Sequence, residues 1–372
     1  MKTKNLMMAI AAFAMAGCSQ NEVTDVNPDT HPAVGFDVYT GVPTRGAETT
    51  TATLKDNIKG NFGILAFYTG ASNWEAAKAT TQPNFMYNEK VHYDTDGTSW
   101  AYDNIKYWPS NADHMITFFA YGPYEATPTT GTNKGIVLSG KTDKGIPFID
   151  FTLKEAAKLT EMVDLVVSDQ RDQKYSDNSG TVNFKFGHIL SKVLFKVKLK
   201  NALSGNTKVF VRKLEILGTT NNGPSKFYTK AKYKNQHWNY DDATVPTGDF
   251  NVANIMNVAT ISGVGDYTKE AIEATTEAKS LFKNGEFLFL IPVNDSETPG
   301  AETGTTSNGE IKVRLTYDAI TPDVNDPNKY LVSETEALVD LPSGALKLGT
   351  AYTYTFNLAL NPVKVTVDDT IT

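Results

Sequence analysis

Along most of this chain apolar residues recur at every second position, the period of a strand with one buried face, and helical periods are scarce. Val34, Phe36 and Val38 alternate with Gly35, Asp37 and Tyr39, which predicts a half-buried strand. Residues 62–68 (FGILAFY) and 115–121 (MITFFAY) are dense enough to predict strands buried on both faces, the second closed by Gly122-Pro123. Between them, residues 85–88 and 91–93 read as one pair turned by Asn88-Glu89, and residues 100–102 with 106–109 read as a short hairpin. Short strands are predicted at 136–138, 148–151 and 164–168, with a helical turn at 154–159. Residues 182–186 alternate and lead into 189–199, where Val193, Phe195, Val197 and Leu199 share one face. The second half repeats the style at 209–217, 227–233, 287–292, 311–317 and 330–332, with a short helix predicted over 268–282. Two polar loops are expected at 295–309 and 318–329. The clearest row is the last: Tyr352, Tyr354, Phe356, Leu358 and Leu360, then Val363, Val365 and Val367 after Asn361-Pro362. Such a row needs a groove to cover it; from pattern alone it reads first as an ordinary core strand.

The chain begins differently. Lys2 and Lys4 precede a nearly unbroken apolar run over residues 6–15, which ends in Ala14-Met15-Ala16-Gly17-Cys18. Ten apolar residues in a helix reach roughly 15 Å, half the hydrocarbon thickness of a bilayer, so the run predicts a signal peptide and not a span. Small residues crowding up to Cys18, the only cysteine, make the leader resemble a bacterial lipoprotein signal. That resemblance implies a mature chain starting at Cys18 with acyl chains on it and anchored in a membrane. Residues 19–33 are polar and read as a tether, and residues 40–53, Thr-rich with Pro43 and Arg45, read as exposed, flexible and open to proteases.

Composition narrows the function classes. The chain has 372 residues, about 355 without the leader, which is room for two domains. A formal net charge of −7 argues against a nucleic-acid partner, which needs a basic face. With no second cysteine there is no disulfide, so the core alone must hold the fold. Gly135 to Thr142 (GIVLSGKT) matches the phosphate-loop pattern letter for letter, yet its middle is a strand sequence, and Gly145 and Pro147 follow where a helix is needed. The histidines, His31, His92, His114, His188 and His237, show no metal-ligand spacing, and Asp94-Thr95-Asp96-Gly97 lacks the glutamate that closes a calcium loop. No nucleophile elbow is present; no metal, cofactor or catalytic residue is expected. Trp74, Trp100, Trp108 and Trp238 are read as packing residues, with sugar stacking as the competing role.

Several stretches, taken in order, resemble the fimbrillin family of type V pili. They are the leader, the first strand, Thr44-Arg45-Gly46, Trp100 with Tyr107-Trp108-Pro109, and 118–124 (FFAYGPY). Residues 186–193 (FGHILSKV) and 348–354 (LGTAYTY) continue the likeness, which covers nearly the whole mature chain. The resemblance implies a mainly β fold of two β-sandwich domains with transthyretin-like topology. The expected organisation is signal peptide 1–18, tether 19–33, an N-terminal domain 34–187 and a C-terminal domain 188–372. It implies an outer-membrane lipoprotein precursor that an arginine-specific protease cuts, here between Arg45 and Gly46. Loss of the first strand then opens a groove, and a donor strand from another pilin subunit fills it. The donor would come from the row Tyr352, Tyr354, Phe356, Leu358, Leu360, Val363, Val365 and Val367. The product is a cell-surface fimbrium, with a host protein or glycan as a further partner. Two other readings stay open: a surface glycan-binding lipoprotein of a nutrient-uptake system, and a surface hydrolase with paired carboxylates.

Overall fold

The computed structural model describes residues 32–40, 48–56, 60–94, 98–154, 159, 161–177, 179–203, 206–221, 227–252, 272–282, 286–293, 311–326, 329–342, 346–359 and 364–368. The fold is mainly β, as the alternation requires. In the first half the elements are β1 (Gly35–Thr40), α1 (Thr51–Leu54), β2 (Phe62–Gly70), α2 (Trp74–Ala77), β3 (Met86–Tyr93), β4 (Trp100–Tyr102), β5 (Met115–Gly122), β6 (Ile136–Leu138), β7 (Phe148–Thr152), β8 (Val166–Gln173) and β9 (Thr181–His188). The second half adds β10 (Ser191–Leu199), β11 (Lys208–Ile216), β12 (Lys230–Lys234), β13 (His237–Thr244), β14 (Phe250–Asn251), β15 (Ile272–Ala274), β16 (Lys279–Ser280), β17 (Leu288–Leu290), β18 (Lys312–Pro322), β19 (Tyr330–Asp340), β20 (Ala351–Leu358) and β21 (Lys364–Asp368).

A seven-stranded sheet in the order β1-β9-β8-β5-β2-β3-β4 dominates the first half. It curls until its two ends meet. Val34 N–H donates to Lys106 O at 2.8 Å, Ala33 bridges Tyr107, and the Tyr102 hydroxyl donates to Val34 O at 3.0 Å. Inside the curl lies an aromatic core of Phe36, Phe62, Trp100, Tyr102, Trp108, Phe118, Phe184 and Phe186. The other face of the sheet, with Leu65, Phe67 and Tyr121, joins a larger core shared with the second half. There one sheet runs β16-β10-β20-β21, with β17 also on β10, and another runs β14-β11-β18-β19, with β15 also on β11. Val193, Phe195 and Val197 from the first and Val209, Val211 and Leu214 from the second belong to that core, so the alternating rows face inward as predicted. A fourth sheet, β13-β12-β7-β6, is built from both halves: Ala231 of β12 pairs Phe151 of β7.

Five local expectations are corrected. The polar loop expected at 318–329 is strand as far as Pro322, with Asp318 and Ile320 buried, because β18 continues its pairing with β19. Asn88-Glu89 is no turn; Met86–Tyr93 is one strand with a bulge, where Asn88 takes a left-handed φ of 49° that asparagine tolerates well. Residues 106–108 make no hairpin with β4 but pair with residues 32–34. The helix expected over 268–282 is replaced, where described, by β15 on β11 and β16 on β10, because available strand edges outweigh a weak helical period. Residues 48–51 of the Thr-rich stretch are buried or half-buried and hydrogen-bonded, not exposed. Missed altogether were β13 and the extension of β19 to Asp340, whose patterns are too polar to announce a strand. Of the helical turn at 154–159, residues 155–158 lie outside the described residues.

Candidate functional site

The feature of the fold with most functional content is the seam made by β1. It is the end strand of the curled sheet and pairs with β9 in parallel, from Gly35 opposite Thr181 to Thr40 opposite Phe186. A parallel partner so distant in sequence requires a long crossover, and here nearly the whole first half lies between them. Val34, Phe36, Val38 and Thr40 point into the core, while Asp37 and Tyr39 face out. Phe36 sits among three rings, with centroids 5.2 Å from Tyr102, 6.1 Å from Phe118 and 5.8 Å from Phe184. Without β1, those rings would face an open groove. Tyr102 stitches the other side of the seam: its hydroxyl also accepts from Lys106 N–H at 3.1 Å, and burial pushes its pKa up to about 12.

The end of β1 is clasped by two threonines. Thr40 N–H donates to Thr51 Oγ1 at 3.0 Å, Thr51 N–H donates to Thr40 Oγ1 at 2.6 Å, and the two hydroxyls are 3.0 Å apart. Thr51 starts α1, a single turn whose Thr50 and Thr53 form a capping box and whose Leu54 is fully buried in the aromatic core.

Just upstream of α1 the chain is tied to the junction of the two halves. Thr49 N–H donates to Asp164 Oδ2 at 2.8 Å, and its hydroxyl donates to Asp164 O at 2.5 Å. Glu48 and Lys192 form a buried ion pair, and the Lys192 ammonium lies 3.6 Å from the centre of the Phe287 ring. His188 Nδ1 is 3.0 Å from Asp164 Oδ2. Burial pulls the His188 pKa down, but the Asp164 hydrogen bond and the charges of Asp164 and Glu48 carry it above its ordinary value. No sequence motif announced this cluster or the Thr40–Thr51 clasp; each is made by residues brought together across the chain.

Cys18, Arg45, Gly46, Leu360 and Val363 lie outside the described residues. Of the remaining row, Tyr354, Phe356 and Leu358 are buried in β20 and Tyr352 is half-buried. Strand β20 is flanked on both sides, by β10 in parallel and by β21 antiparallel. Val365 and Val367 belong to β21, which ends its sheet. The row is therefore divided between a central strand and an end strand.

The phosphate-loop match is a strand, β6, and its Gly140 N–H already donates to the Asp143 carboxylate at 2.7 Å. All four tryptophans are buried; Trp108 donates to Gly180 O and Trp238 to Ile189 O, so none offers an exposed sugar platform. Among the described residues no group of three or more His, Cys, Asp or Glu side chains is placed to hold a metal ion.

The chain is similar to known proteins in sequence and in fold. The model of the fimbrillin-like family matches residues 44–372. The fimbrium subunit Fim1C of Phocaeicola vulgatus is 40% identical over 379 aligned positions, which span 99% of this chain and 96% of that protein. The crystal structure of a fimbrial protein from Bacteroides vulgatus is 37% identical, with a TM-score of 0.76 over 91% of this chain and 98% of that one. The chain belongs to the fimbrillin-like family.

Proposed function

We propose that this fimbrillin-like chain is a structural, adhesive subunit of cell-surface fimbriae, exported as a lipoprotein and assembled by strand exchange. Cys18 would carry the lipid to the outer membrane. An arginine-specific protease would cut between Arg45 and Gly46, and residues 18–45 would leave with the lipid and β1. A host protein or glycan is the expected ligand of the finished fimbrium.

The observation that carries the reading is that β1 closes the curled sheet alone. It has a long ladder on one side only, to β9, and a few contacts around residues 32–34 on the other. While the chain is intact, the covalent link keeps β1 at high effective concentration. After a cut in the segment that follows it, β1 is a short peptide held by one ladder, its inward row and the Thr40–Thr51 clasp. A second strand can then compete for the same backbone groups, as in strand addition generally.

The sheet order also favours one part of the candidate donor row. Taking β20 out would strip Tyr354, Phe356 and Leu358 from the core, at about 1.5–3 kcal/mol for each large apolar side chain. Taking β21 out leaves β20 still paired to β10. The donor is therefore drawn from Val363, Val365 and Val367 rather than from Tyr352, Tyr354, Phe356, Leu358 and Leu360. An acceptor groove in one half and a donor in the other give head-to-tail contacts, which grow open filaments. The test is N-terminal sequencing of subunits taken from assembled filaments. A start at Gly46 is expected; a start at Cys18 sinks the cleavage step.

A further inference from the structure

We infer that the groove vacated by β1 selects the register of its new occupant through Thr51 and Lys185: it takes residues 363–369 of a second copy, running parallel to β9, with Asp369 in the place of Thr40. The inference rests on the strand exchange proposed above and adds to it a direction and a register.

The inward row of β1 has three apolar places, those of Val34, Phe36 and Val38, followed by a polar one. The polar place is set by the acceptor body. Thr51 N–H and the Thr51 hydroxyl are spent there on Thr40, and they stay behind when β1 leaves. The N–H of any occupant can donate to the Thr51 hydroxyl as Thr40 N–H does, but an apolar side chain in that place would leave Thr51 N–H without its acceptor. Residues 363–369 read VKVTVDD, so Val363, Val365, Val367 and Asp369 reproduce the sequence of three apolar places and one polar. A carboxylate accepts from an N–H, so the Asp369 side chain suits Thr51 N–H while the Asp369 backbone N–H takes over the bond to the Thr51 hydroxyl. A slip of two residues in one sense puts Val367 on Thr51.

The outward row points the same way. Tyr39 lies opposite Lys185 of β9, which is exposed. In the inferred register Asp368 replaces Tyr39 and faces Lys185, a favourable cross-strand charge pair. Reversed, the strand would set Lys364 against Lys185 and put Val363 on Thr51. Val365 is smaller than Phe36, so apolar filling alone does not choose this register; Thr51 and Lys185 do.

Cysteine cross-linking tests it in the full chain carrying Cys18→Ser, which has no other thiol. Neighbouring strands lie about 4.8 Å apart, within disulfide reach. After treatment with an arginine-specific protease and mild oxidation, K185C with D368C should give reductant-sensitive multimers. K185C with K364C, and K185C with T366C, should give at most about a tenth as much. Thr51→Val should lower the yield of SDS-resistant multimers about tenfold, the effect of leaving one buried polar group unsatisfied. Linking through K364C overturns the direction and linking through T366C overturns the register, both while strand exchange stands. Undiminished multimers in Thr51→Val overturn the role of Thr51. If the chain without cysteine substitutions forms no SDS-resistant multimers after cleavage, strand exchange itself fails.

Discussion

Phe36→Ala is the most informative single change, because it separates what holds β1 in place from what holds the body together. The Phe36 side chain is 6% exposed and touches the rings of Tyr102, Phe118 and Phe184. Truncating a buried phenylalanine costs about 3–5 kcal/mol. Because β1 is an end strand and can shift to close part of the cavity, the lower figure applies, about 3 kcal/mol. In the uncut chain that loss should appear in urea unfolding followed by near-ultraviolet circular dichroism. In a chain cut after Arg45, the same loss acts on a non-covalent peptide. At 1.36 kcal/mol per factor of ten, 3 kcal/mol weakens its retention roughly 150-fold. Native size exclusion after proteolysis measures how much of the fragment ending at Arg45 stays with the body. Tyr39→Ala on the outward face of the same strand, where the side chain is 56% exposed, should change neither readout by more than about 0.5 kcal/mol. A Phe36→Ala chain that holds the fragment as well as the native chain does would refute the reasoning, as would a Tyr39→Ala chain equally impaired.

Three further outcomes follow from the junction and the curled sheet. Lys192→Met removes the cation beside the buried Glu48 carboxylate and should cost about 3–5 kcal/mol in urea unfolding, with much of it recovered by Glu48→Gln in the same chain. Since the folded state raises the His188 pKa above 6.5, its charged form stabilises the fold; that contribution is complete below the unfolded value and is lost as pH rises through the folded one. Melting temperatures of the native chain and His188→Asn should therefore differ most in mild acid and converge above neutrality; a gap that widens with pH contradicts the sign. Gly63→Ala places a methyl 2.3 Å from the buried ring of Tyr121, whose hydroxyl is held by Asn88, and should destabilise by about 1–3 kcal/mol in the same urea assay.

How much of this could be read in the sequence depended on whether the signal was local. Strands such as Phe62–Gly70 and Met115–Gly122 were legible because a strand buried on both faces must be apolar throughout. The bulge at Asn88 was misread as a turn, since both use the left-handed backbone that asparagine accepts and only the pairing of β3 with β2 tells them apart. The Thr-rich stretch was misread as exposed because threonine carries no mark of burial; Thr49 and Thr51 are inside because Asp164 and Thr40 come to meet them.

The alternation of apolar and polar residues by itself determined that the chain is mainly β, which face of β1 and of β10 is buried, and that the end of the chain carries a long apolar row. Side-chain period is a property of a single strand, so one strand's residues suffice to show it. Which strands are neighbours was decided only in three dimensions. The parallel pairing of β1 with β9 joins residues nearly 150 positions apart, Gly35 with Thr181. The meeting of the sheet's two ends at Val34 and Lys106 depends on how far the whole sheet curls. The division of the last row between a central β20 and an end β21 is likewise a fact of sheet order. Hydrogen bonds between strands carry no trace in either strand's composition, so the seam that the proposed assembly opens became visible only once the tertiary fold had closed it.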